Sequence, residues 1–120
     1  MIYLDYAAAT PVDERVIAAM QPYWTQDFYN PSALYTAARQ VKSALHLARK
    51  RSGAVLGAKP GEIYFTAGAT EANNIAIAGI MQRFPGKTMR ISAIEHDSVR
   101  RPARAYAERN DIPYVEGASI

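Results

Sequence analysis

The sequence of 120 residues contains no cysteine. That absence excludes a disulfide scaffold, a thiol nucleophile and a thiolate metal site within these residues. Long hydrophobic runs are missing too, so no membrane-spanning helix is expected. Met1-Ile2-Tyr3-Leu4-Asp5 has no basic segment leading into an apolar one, which argues against a signal peptide. Charge of one sign is scarce: 14 Lys+Arg stand against 11 Asp+Glu, a net charge of +3. Such a surplus suits an anionic ligand but is too small to indicate nucleic acid. The carboxylates are scattered without metal-ligand spacing, so no metal is expected, and no Ser/His/Asp nucleophile pattern or internal repeat is visible. A soluble cytoplasmic protein is the expectation.

What is present points to a globular chain. Hydrophobic residues make up 49% and charged residues 21%, which excludes intrinsic disorder. The length suits one domain that would bury roughly two thirds of its unfolded surface. Ile2-Tyr3-Leu4 reads as a short extended segment entering a small-residue loop, Asp5 to Pro11. Pro11 and Asp13-Glu14 mark a helix start, with Val16, Ile17 and Met20 on its apolar face until Pro22 weakens it. Asn30-Pro31-Ser32 is turn chemistry, and Ser32 is placed to cap the longest helix. Val41, Ala44, Leu45, Ala48, Ser52, Val55 and Leu56 follow the helical period up to Gly57. Between Tyr29 and Gly61 there are six basic residues and no acidic one. That reads as the solvated face of an amphipathic helix, since a nucleic-acid patch would interleave aromatics.

Glu62 to Thr66 reads as a strand, and Ala69 or Thr70 to Arg83 as a helix with a buried stripe of Ala72, Ile75, Ala76, Gly79 and Ile80. A second strand is expected over Thr88–Ile94. A third helix follows, capped by Asp97 or Ser98, with Pro102 near its first turn. A third strand begins at Asp111–Val115. This alternation predicts an α/β fold, a mostly parallel sheet with helices on both faces. The chain ends just past a strand, so the architecture reads as incomplete.

Ligands of open α/β sheets gather at the C-terminal ends of strands. Two such ends carry chemistry. In Thr66-Ala67-Gly68-Ala69-Thr70-Glu71, small residues let the backbone approach an anion, helix amides point at it, and Thr70 adds a hydroxyl. The alternative is a tight turn in which Thr70 only caps its helix. At Glu95-His96-Asp97 the histidine can stack on an aromatic ligand or move a proton; the alternative is a capping or hydrogen-bonded loop histidine. His46 is expected to face solvent. Asn30 is a turn residue whose amide could also bind a substrate carboxylate.

Together these motifs resemble a known family. Tyr3-Leu4-Asp5-Tyr6-Ala7-Ala8-Ala9-Thr10-Pro11-Val12-Asp13 is similar to the opening of cysteine desulfurases, pyridoxal-phosphate (PLP) enzymes of the class V aminotransferase group. Asn30-Pro31-Ser32 resembles their substrate loop. Phe65 to Asn74 looks like their cofactor-phosphate turn, with Ala67 where Ser is usual. Glu95-His96 falls where they carry the ring-stacking histidine. The resemblance covers nearly all of this chain but about the first third of a family member.

It implies the start of the fold-type-I PLP-dependent transferase large domain, with residues 1–30 as a segment of substrate-side loops and 31–120 as the first part of the cofactor domain. Pyridoxal 5'-phosphate would rest on Ala69 and Thr70, His96 would cover the ring and assist proton transfer, and Asn30 and Ala8 would face the substrate. The implied reaction takes sulfur from L-cysteine, leaving L-alanine and a persulfide for a sulfur-acceptor protein in iron–sulfur cluster assembly or tRNA thiolation. A homodimer is implied; membrane and direct nucleic-acid partners are not. Ala9 stands for a usual Thr, Tyr29 for Gly, Tyr35 for His and Ala38 for Gly, which bears on substrate identity more than on cofactor. The family's Schiff-base lysine and persulfide cysteine lie downstream, and Lys42, Lys50, Lys59 and Lys87 match neither. The chain alone is therefore expected to be inactive and to expose apolar faces. A class V aminotransferase, a selenocysteine lyase and a non-catalytic phosphate-binding module are the other readings.

Overall fold

The computed structural model describes residues 2–117, in two compact units divided between Tyr64 and Phe65. The first unit is helical. It opens on a loop that the Tyr3 phenol holds closed, donating to the carbonyls of Asp5 (2.8 Å) and Ala9 (3.0 Å). The expected extended segment at Ile2–Leu4 has no strand partner among the described residues.

Helix α1 spans Glu14–Met20, its first turn capped by the Asp13 carboxylate, which accepts from the Arg15 amide at 2.8 Å. Pro22 starts a further short helix, α2 (Pro22–Thr25), where its missing N–H is no loss. Helix α3 spans Thr36–Leu56, with Tyr35 at its cap, so Ser32 does not cap it as expected. The Asn30 side chain takes the Ser32 amide instead (2.9 Å), and the Asn30 carbonyl takes that of Ala33 (3.1 Å). This local turn wins over an earlier helix start because its acceptors lie only two and three residues away.

At the far end of α3, Gly57 adopts φ +68°, the left-handed cap that its lack of a Cβ allows. The chain then folds back tightly: the Ala58 amide donates to Gly53 at 2.8 Å, and a Cβ on Gly53 would lie 2.6 Å from the Ala58 carbonyl oxygen.

Glu62 to Thr66 is not a strand. A 3₁₀ turn occupies Pro60–Glu62, and residues 63–66 run without a ladder. The run reads as a strand in sequence, but a strand exists only through a ladder shared with a neighbouring segment.

The second unit holds α4 (Ala69–Arg83), β1 (Met89–Ser92), α5 (Asp97–Asn110) and β2 (Tyr114–Gly117). The two strands pair in parallel, Met89 opposite Tyr114 and Ser92 opposite Gly117, with α5 as the connection between them. This is the α/β unit that the alternation predicts, with shorter strands. Its small core is Met81, Met89 and Ala103, with Ile77, Ile91, Tyr106, Ile112 and Tyr114 packed around it. The expected stripe on α4 is therefore misplaced. Asn73, Ile77 and Met81 turn inward, while Ile75 and Ile80 stay more than half exposed. Apolar residues surround this helix, so periodicity alone cannot choose the face that meets α5.

Glu116 on β2 joins strand to helix. Its carboxylate accepts from Arg100 (2.9 Å), Arg104 (2.9 Å) and the Tyr114 hydroxyl (3.1 Å). Arg104 is the main cause holding that carboxyl below the ordinary glutamate value, and Tyr114 adds to it. Burial, with the negative charge of Glu116 beside it, pushes the Tyr114 phenol up. Pro102 lies inside α5 rather than at its edge, so the α-helical donor to the Ser98 carbonyl is missing there. No helix among the described residues is long and apolar enough to cross a membrane.

Candidate cofactor site

The site of the second unit is built from the beginnings of α4 and α5. At α4 the chain leaves Phe65-Thr66 and enters the helix through Gly68, an extended residue at the cap. The Thr66 hydroxyl donates to the Gly68 carbonyl (3.1 Å), and the Glu71 carboxylate reaches back to the Ala67 amide (2.7 Å). The first α-helical bond runs from the Ala72 amide to Gly68. The amides of Ala69, Thr70 and Glu71 precede it and have no partner within the helix.

Their donors, with the Thr70 hydroxyl beside them, form a set that suits a dianion. The nearby carboxylate is turned back onto Ala67. A Cβ on Gly68 would meet nothing within 4 Å, so the approach to the turn is open. These residues fit a cofactor phosphate. The helix dipole adds roughly 0.3–1 kcal/mol to such binding at an exposed terminus.

At α5 the cap is His96, not Asp97 or Ser98. Its Nδ1 accepts from the Ser98 amide at 3.0 Å and lies 2.9 Å from the Ser98 hydroxyl. An amide N–H can only donate, so Nδ1 must present its lone pair. The neutral ring then carries its proton on Nε2. Ser98 Oγ accepts in turn from Asn73 Nδ2 on α4, at 2.9 Å. The capping reading of His96 from sequence is thus met through Nδ1, and Nε2 takes no part in the cap.

The structure brings Ala69 and Thr70 together with His96 in one unit, through Asn73 and Ser98. Asn30 and Ala8 belong to the first unit. There the Asn30 side chain is engaged in its own turn, and the Ala8 amide donates to the Asp5 carbonyl at 3.0 Å. Two of the unusual residues of that unit touch: the rings of Tyr29 and Tyr35 meet edge to face at 5.9 Å, with Phe28 stacked on Tyr29 at 4.7 Å. His46 is exposed, as expected.

The bond between Asn73 and Ser98 is not legible in the sequence, where Ser98 reads only as a cap. Their signals are an amide on an otherwise apolar helix face and a hydroxyl two residues after a histidine at a helix start.

The profile of the family described as aminotransferase class-V matches residues 2–115. The chain belongs to the class-V aminotransferase family. Within this family it is 47% identical over 100 residues to the cysteine desulfurase IscS of Methanosarcina thermophila, covering 82% of this chain and 25% of that protein. Cysteine desulfurase IscS 1 of Archaeoglobus fulgidus is 42% identical over 106 residues, 87% of this chain and 28% of that protein. The solved structure of SspA in complex with cysteine matches 95% of this chain and 33% of its own, at 36% identity and a TM-score of 0.85. A NifS-like protein matches 96% of this chain and 32% of its own, at 27% identity and a TM-score of 0.87. The chain therefore spans about a quarter to a third of these class-V relatives. Its fold is the corresponding part of theirs.

Proposed function

We propose that the protein carrying this chain is a PLP-dependent cysteine desulfurase, to which these residues contribute the phosphate cradle and the ring-facing histidine. The observation that carries the reading is the joined pair of helix N-termini: donor amides and Thr70 on α4, His96 on α5, and the Asn73–Ser98 bond between them. The names of the relatives and the bound cysteine of one neighbour support the reaction. In this reading residues 1–30 supply substrate-side loops and residues 31–120 the first part of the cofactor domain.

When bound, pyridoxal 5'-phosphate supplies the electron sink that weakens bonds at the substrate α- and β-carbons. The protein supplies position and charge. Ala69 and Thr70 hold the phosphate with two amides and a hydroxyl. His96 covers the ring and offers Nε2–H as a donor, and the Ser98 amide on Nδ1 opposes the other tautomer. Asn30 and Ala8 face the amino acid. The net reaction breaks the C–S bond of L-cysteine, passes sulfur to an enzyme thiol as a persulfide and releases L-alanine. That thiol belongs to a part of the protein outside these cysteine-free residues. A cytoplasmic homodimer that passes its persulfide to an acceptor protein, for iron–sulfur cluster assembly or tRNA thiolation, completes the proposal.

The test is alanine release from L-cysteine by the full-length gene product, with and without added PLP. PLP-dependent release that falls in Thr70→Ala and His96→Ala variants supports the reading. Absence of release, or release indifferent to both substitutions, overturns it.

A further inference from the structure

Helix α3 carries four of its five Lys and Arg side chains in one row, with Arg51 standing apart from it. At 100° per residue Arg39, Lys42, Arg49 and Lys50, with His46 between them, fall within roughly 100° around the axis, away from Val41 and Ala48. The row runs along about 16 Å of helix. All but Arg49 are exposed, and Arg39, Lys42 and Lys50 make no ion pair among the described residues. No acidic residue lies between Tyr29 and Gly61 to offset them. Like charges three and four residues apart weaken a helix, so nothing in the fold of α3 calls for this arrangement.

The row ends at a recess of about 280 Å³ between His46 and Arg49 on the helix and Pro60, Ile63 and Tyr64 beyond it. Its side beyond the helix, Pro60, Ile63 and Tyr64, is apolar and aromatic, and Tyr64 is 80% exposed.

We infer that this face docks an acidic helical segment of a partner protein, whose carboxylates lie along the cation row and whose one apolar side chain fills the recess. Charge complementarity selects the partner and steers its approach, while a seated anchor supplies most of the holding energy. Carboxylates three and four residues apart on a helix match the spacing of the row. Nucleic acid fits less well, because single-stranded binding needs stacking rings repeated along a groove. Tyr64 is the one aromatic lining the recess, and it stands at the end of the row. The inference does not rest on the desulfurase reading.

The test is fluorescence anisotropy with the full-length gene product and a labelled helical peptide of about 12 residues, with glutamates at i, i+3, i+4 and i+7 and a single tryptophan. Binding at low salt is expected to weaken about tenfold at physiological salt and about tenfold in Lys42→Glu/Lys50→Glu. Lys87→Glu/Arg109→Glu changes net charge equally off the row, and is expected to stay within about twofold. Replacing the peptide tryptophan with alanine is expected to weaken binding to the unmodified protein but not to Tyr64→Ala. Equal losses in the two charge-reversed variants overturn the inference, as does tighter binding of a labelled RNA oligonucleotide than of the peptide. Lys42→Gln/Lys50→Gln, which adds no negative charge, must also weaken the complex.

Discussion

Asn73 Nδ2 donates to Ser98 Oγ at 2.9 Å, and this side-chain bond ties the second turn of α4 to the first turn of α5. It links the helix whose first amides are proposed to bind a cofactor phosphate to the one capped by His96. The two halves of the proposed site are thereby tied together. Ser98 also fixes the imidazole, so a single residue controls both spacing and tautomer.

Removing that link has a measurable cost. Asn73→Ala and Ser98→Ala in the full-length protein are each expected to lose about 0.5–1.5 kcal/mol in urea unfolding. The double variant is expected to lose less than the sum, since both changes remove one bond. Nitrogen NMR of His96 is expected to show the Nε2–H form in the parent and still in Ser98→Ala, because the backbone amide that donates to Nδ1 remains. Full additivity, or an Nδ1–H ring in the parent, would contradict the arrangement.

Thr70→Ala is expected to weaken binding of pyridoxal phosphate roughly ten- to a hundredfold, the worth of a hydrogen bond to a charged group. Pyridoxal, which has no phosphate, is the control and should bind both proteins alike. Equal weakening of the two ligands would remove Thr70 from the phosphate site.

Glu116 contributes to acid stability. Arg104, Tyr114 and Arg100 favour its charged form in the folded chain and hold it below the ordinary glutamate value of 4.5. A depressed carboxyl stabilises the fold fully above that value and loses the contribution as pH falls through the folded value. Glu116→Gln is therefore expected to lower the urea midpoint at neutral pH and to flatten its decline below pH 4.5. An acid limb unchanged by the substitution would show that the two arginines do not act through this carboxylate.

Two helical glycines are expected to respond with opposite sign. Helix propensity favours alanine over glycine by about 1 kcal/mol. At Gly79 an added Cβ meets nothing within 4 Å, so Gly79→Ala is expected to stabilise by up to about that much. At Gly53 the Cβ would sit 2.6 Å from the Ala58 backbone oxygen, and Gly53→Ala is expected to destabilise by about 1–3 kcal/mol. Denaturant midpoints measure both, and a stabilised Gly53→Ala would show that the turn after α3 can shift.

The apolar surface of these residues is extensive. Leu34, Val55 and Ile94 are each more than 80% exposed, and no large side chain is fully buried among the described residues. The 120-residue chain alone is expected to bind a hydrophobic dye and to elute as aggregates in size exclusion. A compact monomer with a cooperative thermal transition would refute this.

Sequence by itself determined whatever depends on neighbours a few residues away. Asp13 capping α1, Gly57 ending α3, the turn at Asn30 and the small-residue entry to α4 are all settled within one helical turn of chain. The motifs around Thr70 and His96 were legible for the same reason, since their chemistry is carried by consecutive residues. Tertiary structure decided what requires a distant partner. Residues 62–66 read as a strand yet join no ladder among the described residues, because a ladder is made by two segments. The buried face of α4 was set by α5, because a helix apolar on several sides has no preference of its own. The tautomer of His96 was set by a local amide, but the link of its helix to the start of α4 came from Asn73, twenty-five residues before Ser98.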